Sequence, residues 1–521
     1  QKLAKALQAT NGGGVVGTVA AALREFAGGE VPLVTATLRG GVLRDEAWAR
    51  SPAQPVVICS TVDQVGSRLL FRGYGCGSPR SWPIHAGLLG VDTLLIVDEA
   101  HCVQPFCDTA LAIAERYGGW SEIPTGNPLT LVRMSATLGE EPDFGLDDED
   151  LRNPTLALRL SARKLATLEL VEAKRGQESR AALAERIVER ALGLAVERPR
   201  VVGVVVNRVS TARAVFDALP MAEHRKLLLT GRVRGWERDR LLSEWAAIIL
   251  ANPERQTPAE SLVVVATQCI EVGANLDFDA LVTECAALDA LRQRFGRLNR
   301  LGHRTNAPAY VIAEVSQVMD GADDAVYGPA LRESWRWLNA AAAEDGAQAV
   351  DFGPSALEAK LAEVAELAAL STPVSLAPVL LPAHLDLLAQ TSPEPAAAPE
   401  PSLFLHGMRT GVDDVTVVWR ADLNEIPPDA WADLVALLPP LAGEGCPVPY
   451  LAARTWLGRG QAGAVADADA SSQPEEAMET IGPGVPALRW RGVDEASVST
   501  SRQLRPGDTI VVPSRYGGCD R

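Results

Sequence analysis

The sequence predicts an α/β protein with two parallel-sheet domains, followed by a helical region and a small accessory C-terminal domain. Three observations lead there. Up to about residue 315, short β-branched or Leu-rich runs alternate with helical patterns, and continuous apolar strands between helices mean parallel sheets covered on both faces. The Asp- and Pro-rich stretch Glu140–Arg159 breaks this alternation into two units. A chain of 521 residues is also too long for one ordinary core.

In chain order, the opening "QKLAKALQA" reads as helix. Strands are expected over Pro32–Thr37, Pro55–Ser60, Thr93–Glu99 and Thr130–Ala136 in the first unit. Those of the second are Val201–Val206, Lys226–Thr230, Ser261–Thr267, Ala280–Glu284 and Ala309–Val315. Amphipathic helices fit Val62–Arg72, Ser179–Ala195, Thr211–Ala218 and Glu237–Leu250. From Leu331 to Leu370 the pattern is Ala-rich helix, and Thr391–Ser402 is a Pro/Ala linker. Beyond it "VTVVWRADL" and "GDTIVVPS" read as strands, with a polar insertion over Ala464–Glu479. The expected domains are therefore 1–160, 161–320, 321–401 and 402–521.

Composition is globular, with 47% hydrophobic and 22% charged residues, enough to bury a sizeable core. A net charge of −17 excludes a protein that is basic all over, yet leaves room for nucleic-acid binding along one local groove. The eight cysteines form no CxxC pair and are expected as reduced thiols, not a zinc site. Without an apolar run of membrane-spanning length or a signal peptide, a cytoplasmic protein with no membrane partner is expected.

The chemistry starts at "LLIVDEAHCVQPF", where a buried strand runs into two adjacent carboxylates, Asp98 and Glu99. Like charges so close call for a cation. At the carboxyl end of a parallel strand, Mg²⁺ on nucleotide phosphates would neutralise Asp98, and Glu99 would activate a water. Alone, this dipeptide is equally well read as acids at a helix N-terminus. "MSATL" ends another strand with two hydroxyls, Ser135 and Thr137. Downstream, "LRQRFGRLNRLG" spaces Gln293, Arg294, Arg297 and Arg300 by helical intervals, putting Gln293, Arg297 and Arg300 on one helical face. A solvated basic helix is the bland reading; a γ-phosphate grip is the sharp one.

The conjunction of these three motifs, in this order, resembles superfamily 2 helicases, in which two RecA-like domains clamp ATP. The chain is most similar to the CRISPR-associated helicase–nuclease of type I systems. The matching stretches are "TLRGG", "STVDQVGSRLLFRGYG", "VDEAHCVQPF", "MSATL", "VVVNRVSTA", "LLTGRVRGWERD", "VATQCIEVGANLDFDALVTE" and "QRFGRLNRLG", spanning roughly residues 30–305. The tail "LRPGDTIVVPSRYGG" looks like that of the type I-G (I-U) variant.

The resemblance implies ATP and Mg²⁺ as cofactors, Asp98 as the Mg²⁺ partner and Glu99 as the base. His101, Ser135 and Thr137 would couple hydrolysis to movement. Gln293 would sense the γ-phosphate, Arg297 and Arg300 would be arginine fingers, and Gly273 and Asp277 would lie near the nucleotide. Thr37, Arg39, Thr61, Arg68, Asn207, Arg208, Thr230, Arg232 and Thr267 would line the DNA path, holding phosphates without reading bases. The implied activity is 3′→5′ translocation on single-stranded DNA by a monomer recruited by an RNA-guided surveillance complex.

The chain departs from the family pattern twice. It holds no GxxxxGK[ST] loop, and its Gly-rich Thr10–Gly17 lacks the lysine that a phosphate cradle needs. In the family that loop precedes the point where this chain begins, so the first RecA-like domain is expected to be incomplete at its N-terminus. The family's nuclease is a His-Asp metal domain, and none of the six histidines here precedes an aspartate. Translocation without cleavage is thus expected of these residues. Two alternatives stay open: another DEAH-type DNA or RNA helicase, and an ATPase-dead scaffold binding DNA or a partner.

Overall fold

The computed structural model describes residues 2–9, 14–38, 46–74, 79–120, 128–135, 143–173, 178–196, 200–305, 307–344, 348–364, 366–408, 414–459, 484–490, 492 and 496–518. It divides into two compact units, residues 1–138 with 374–411, and residues 139–373 with 412–521.

The first unit contains two parallel strand pairs. β1 (Val34–Leu38) pairs with β2 (Val56–Ser60), and β3 (Leu94–Val97) with β4 (Thr130–Arg133). β2, β3 and β4 lie within expected runs, and β1 overruns its own by one residue, Leu38. Their inward residues, among them Leu38 and Val97, share a core with Leu69, Leu70, Phe106 and Ile113.

Residues 374–408 belong to the same unit. Leu380, Leu385, Leu388, Phe404 and Leu405 are buried in its core. Leu405 fills a notch at Gly66, where a Cβ would come within 2.3 Å of its Cδ2. Thr109 Oγ1 donates to the Phe404 carbonyl at 2.7 Å, and Arg72 donates to the Leu388 carbonyl at 2.6 Å and to Glu394 at 2.9 Å. The Pro/Ala composition of Thr391–Ser402 reads as a linker, but its Glu394 is docked and it runs directly into the apolar anchors Phe404 and Leu405.

The second unit is built on a seven-stranded sheet ordered β11-β5-β10-β9-β6-β8-β7. The strands are β5 (Leu165–Val171), β6 (Val201–Val205), β7 (Lys226–Leu229), β8 (Leu262–Ala266), β9 (Ala280–Glu284), β10 (Ala309–Glu314) and β11 (Ala349–Asp351). All neighbours are parallel except β11, which runs antiparallel to β5. Strands β6, β8 and β9 are buried along their whole length, as continuous apolar runs require. Two hydrophobic clusters cover the two faces, with the Ser179–Val196 and Val209–Ala218 helices on one of them. Close packing is strict at Gly203, where a Cβ would come within 2.5 Å of the Phe278 ring. β5 has no counterpart among the expected strands, because Thr167 and Glu169 interrupt its apolar pattern.

The same unit carries a smaller five-stranded mixed sheet ordered β13-β12-β16-β14-β15. Its strands are β12 (Val415–Arg420), β13 (Cys446–Val448), β14 (Ala487–Trp490), β15 (Ser497–Ser499) and β16 (Thr509–Pro513). It packs around the fully buried Trp431 on one face. β12 and β16 fall where strands were expected; Ala464–Glu479 lies outside the described residues.

Candidate nucleotide and nucleic-acid sites

In the first unit, β3 ends at Val97 and the chain turns sharply. The Met134 amide donates to the Val97 carbonyl at 2.9 Å, and the Ala100 amide to the Met134 carbonyl at 3.0 Å. Between these clamps Glu99 adopts the left-handed conformation, φ +50° and ψ +48°. Such a conformation costs a non-glycine residue of order 1 kcal/mol and persists where surroundings enforce it. The turn leaves Asp98 exposed, accepting from the Glu99 amide at 3.1 Å. It swings the Glu99 carboxylate inward, where Oε2 is buried without a hydrogen-bond partner.

His101 Nδ1 lies 3.6 Å from that oxygen and shares a 2.8 Å hydrogen bond with Ser135 Oγ. The structure therefore brings Asp98, Glu99, His101 and Ser135 together at the carboxyl ends of β3 and β4. Thr137 and Arg39 lie outside the described residues. Among the described residues no group of three or more His, Cys, Asp or Glu side chains could hold a metal ion. A Mg²⁺ needs fewer, since it commonly takes one or two carboxylates plus substrate phosphates and water. An exposed carboxylate beside an orphaned buried carboxylate oxygen fits that donor set.

Thr37 and Thr61, both exposed, are brought to the same end of the β1–β2 pair, with the Thr61 amide on the Leu38 carbonyl at 3.0 Å. Arg68 is not with them at the surface. It is buried, and its Nη1 donates at 2.8 Å to both the carbonyl and the side-chain oxygen of Gln64.

In the second unit the helix expected to carry the Gln/Arg motif is shorter than its spacing suggests. It spans Leu288–Phe295 and ends at Gly296, and Asn299 then turns the chain at φ +44°. Gln293, Arg297 and Arg300 therefore do not share a helical face; the last turn tightens, with the Arg297 amide on the Arg294 carbonyl at 2.9 Å and the Leu298 amide on the Phe295 carbonyl at 3.2 Å, before the chain turns at Asn299. Gln293 is half-buried in the last turn. Arg297 is almost fully buried, its Nε on the Ile270 carbonyl at 3.0 Å and its Nη2 on the Glu271 carbonyl at 2.6 Å. Arg300 is half-buried, its amide donating to Asp277 Oδ1 at 2.7 Å.

Asp277 itself is buried in an ion-pair cluster. Arg255 bridges its Oδ2 at 2.8 Å and Asp279 Oδ1 at 2.5 Å, and Arg304 pairs with the same two aspartates. Gly273 sits in the preceding exposed loop at φ +72°, a conformation that suits glycine.

Asn207, Thr267 and Thr230 follow β6, β8 and β7, so the parallel sheet brings them to one edge. All three are buried. Asn207 is committed inward: its Nδ2 donates to the Cys285 carbonyl at 2.7 Å and its Oδ1 accepts from Arg294 at 2.8 Å. Thr230 Oγ1 accepts from the amide of half-buried Arg232 at 3.3 Å. Arg208 is half-buried and pairs with Asp324 at 3.5 Å.

The residue that organises this edge was not singled out from the motif. Arg294 is fully buried, and all five of its N–H groups are used. Nε reaches Glu271 at 2.7 Å; Nη1 reaches the Thr283 hydroxyl and the Glu284 carbonyl; Nη2 reaches Asn207 and the Tyr327 hydroxyl, each at 2.8–2.9 Å. Burial opposes its charge, but Tyr327 and Glu271 outweigh that and raise its pKa. Burial pushes the Glu271 and Glu284 carboxyls up. The available signal was the strand ending "ALVTE", a buried run closing on an acid as "LLIVDE" does.

The family described as "CRISPR-associated nuclease/helicase Cas3, C-terminal" matches residues 198–303, which hold most of this edge and Arg294, Arg297 and Arg300. The chain resembles the CRISPR-associated Cas3 helicases. The CRISPR-associated nuclease/helicase Cas3 of Streptococcus thermophilus is 25% identical over 245 residues, covering 41% of this chain and 24% of that protein. The CRISPR-associated helicase Cas3 of Thermoproteus tenax is 36% identical over 110 residues, 20% of this chain and 18% of that one. The chain thus spans about a quarter or less of the curated relatives it matches. A crystal structure of T. fusca Cas3 with AMPPNP covers 92% of this chain and 58% of its own at 15% identity and a TM-score of 0.48. Outside the Cas3-like stretch, no helix among the described residues is long and apolar enough to cross a membrane, nor is any within it.

Proposed function

We propose that this chain supplies the motor of an ATP-driven translocase moving 3′→5′ on single-stranded DNA, recruited as a monomer by an RNA-guided surveillance complex of a type I CRISPR system. The names of its relatives support the CRISPR and helicase parts of this reading. The observation that carries the ATPase part is the buried, unpartnered Oε2 of Glu99 beside exposed Asp98, with His101 already bonded to Ser135.

In this reading Asp98 would hold the Mg²⁺ that accompanies ATP, which when bound supplies the phosphoryl group transferred to water. Glu99 Oε2 orients that water and accepts its proton, the inward turn at φ +50° keeping the oxygen dry and available. His101 and Ser135, with Thr137, pass the state of the Glu99 turn to the end of β4. Gln293 would serve as γ-phosphate sensor and Arg300 and Arg297 as arginine fingers, Arg297 only on giving up its contacts with the Ile270 and Glu271 carbonyls. Gly273 lets the loop ahead of buried Asp277 move, while Asp277 holds the Arg300 turn. Thr37, Arg39, Thr61, Arg208 and Arg232 would offer the backbone and side-chain donors along the DNA, and the buried Arg68, Asn207, Thr230 and Thr267 brace them from inside.

The test is ATP turnover by the intact protein with single-stranded DNA or RNA, in wild type and Glu99→Gln. The proposal expects DNA stimulation, and a loss of turnover by about 100- to 10,000-fold in the variant with DNA binding retained. Stimulation by RNA alone would favour another DEAH-type helicase. Absence of turnover in wild type, with DNA bound, would leave the scaffold.

A further inference from the structure

A helix that presents a phosphate-sensing side chain from its last turn must be held at that end, because its final carbonyls have no partners within the helix. The Leu288–Phe295 helix is such a helix, with Gln293 in its last turn and Arg297 and Arg300 immediately beyond. Its terminal carbonyl, on Phe295, accepts from the Leu298 amide at 3.2 Å and from Lys164 Nζ at 2.8 Å. Lys164 precedes β5 and is 5% exposed.

Lys164 is itself fixed on both sides. Its amide donates to Asp351 Oδ1 at 2.9 Å, and its carbonyl accepts from Phe352 at 3.0 Å. Phe352 in turn stacks on Phe295, with centroids 3.8 Å apart and planes 7° from parallel. The end of the motif helix is thus gripped by the β5–β11 edge through one ring stack and one cation on the final carbonyl, the end at which a helix favours positive charge.

We propose that Lys164 is a positioning residue for the Gln293–Arg300 turn, anchoring the helix end so that Arg297 and Arg300 reorient toward phosphate while Gln293 stays in place. This rests on the motor reading above for its catalytic consequence, but not for the anchor itself. No motif of the resemblance includes Lys164. Its removal leaves the phosphate-facing side chains intact and frees the segment that carries them.

The experiment uses the intact protein as wild type, Lys164→Met and Lys164→Arg. Hydrogen–deuterium exchange, without nucleotide, is expected to rise at least tenfold over residues 288–300 in Lys164→Met, with little change over β6 and β8. ATP turnover with single-stranded DNA is expected to lose about tenfold in kcat with KM for ATP within twofold, and Lys164→Arg, which keeps a charged donor, is expected to recover most of it. Unchanged exchange over 288–300 in Lys164→Met overturns the proposal, as does a loss confined to KM. Faster exchange in a chain that never hydrolyses ATP sustains the anchor and sinks the motor instead. Should Lys164→Met not fold, the comparison of wild type with Lys164→Arg decides: more than tenfold loss of kcat with wild-type exchange refutes the anchor.

Discussion

Arg294 Nη2 donates to Asn207 Oδ1 at 2.8 Å, tying the motif helix to the loop after β6 from inside the protein. The pair lies among Glu271, Thr283, Glu284 and Tyr327, so one guanidinium joins four segments that are distant in sequence.

Arg294→Lys should therefore cost far more than a conservative exchange. A lysine supplies three donors from one point and cannot reproduce a fork with five, leaving Asn207, Tyr327 or Glu271 buried and unpaired. Breaking a buried charged network costs about 3–5 kcal/mol. Urea denaturation should show a lowered midpoint at unchanged slope. A midpoint within experimental error of wild type would mean that the network contributes little to the folded state.

The Lys164 amine gives stability a pH dependence of definite sign. Burial, foremost, lowers its pKa from 10.5 to about 8; Arg300 and Arg297 push the same way, against Asp277 and Asp351. Between these two values the unfolded chain binds the proton more tightly, so stability rises with pH through that window. The contribution is complete above 10.5 and lost as pH falls through about 8. Denaturation midpoints from pH 7.5 to 10.5 should rise in wild type relative to Lys164→Met, the difference cancelling titrations common to both. Parallel curves would refute the buried lysine as their source.

Much of this was legible in the sequence where one physical rule acts alone. Strands β6, β8 and β9 are uniform apolar runs, and only burial on both faces explains them. The Asp98–Glu99 strand end stood out in the sequence only together with "MSATL" and the Gln/Arg motif, since two acids there also suit a helix N-terminus. Arg68 and Asn207, expected along the DNA, are buried instead, because an arginine or asparagine that braces a loop and one that grips phosphate share the same residue type; only burial separates them. The Gln/Arg spacing likewise continued a helix that ends at Phe295, with the chain turning away at Asn299. β5 was missed because Thr167 and Glu169 interrupt its apolar pattern, a cue local periodicity does not read as a strand. The docking of residues 374–408 depends on Leu405 meeting Gly66, a contact 339 positions apart (405 − 66) that no local pattern records.

The His101–Ser135 hydrogen bond, at 2.8 Å, adds a side-chain link to the backbone bonds that join the Glu99 turn to the end of β4. If it works as one device, its two halves have no independent value. His101→Ala and Ser135→Ala should each lower DNA-stimulated ATP turnover by roughly tenfold, and the double variant by about the same factor, because residues acting as a unit are not additive. The His101 imidazole also lies 3.6 Å from Glu99 Oε2, so its loss should cost somewhat more than loss of the hydroxyl. A double-mutant cycle on turnover, with unfolding midpoints to exclude a general loss of structure, measures the coupling directly. Losses that multiply, about a hundredfold in the double variant, would mean that the two side chains act separately, and that the bond between them carries nothing from the nucleotide site to β4.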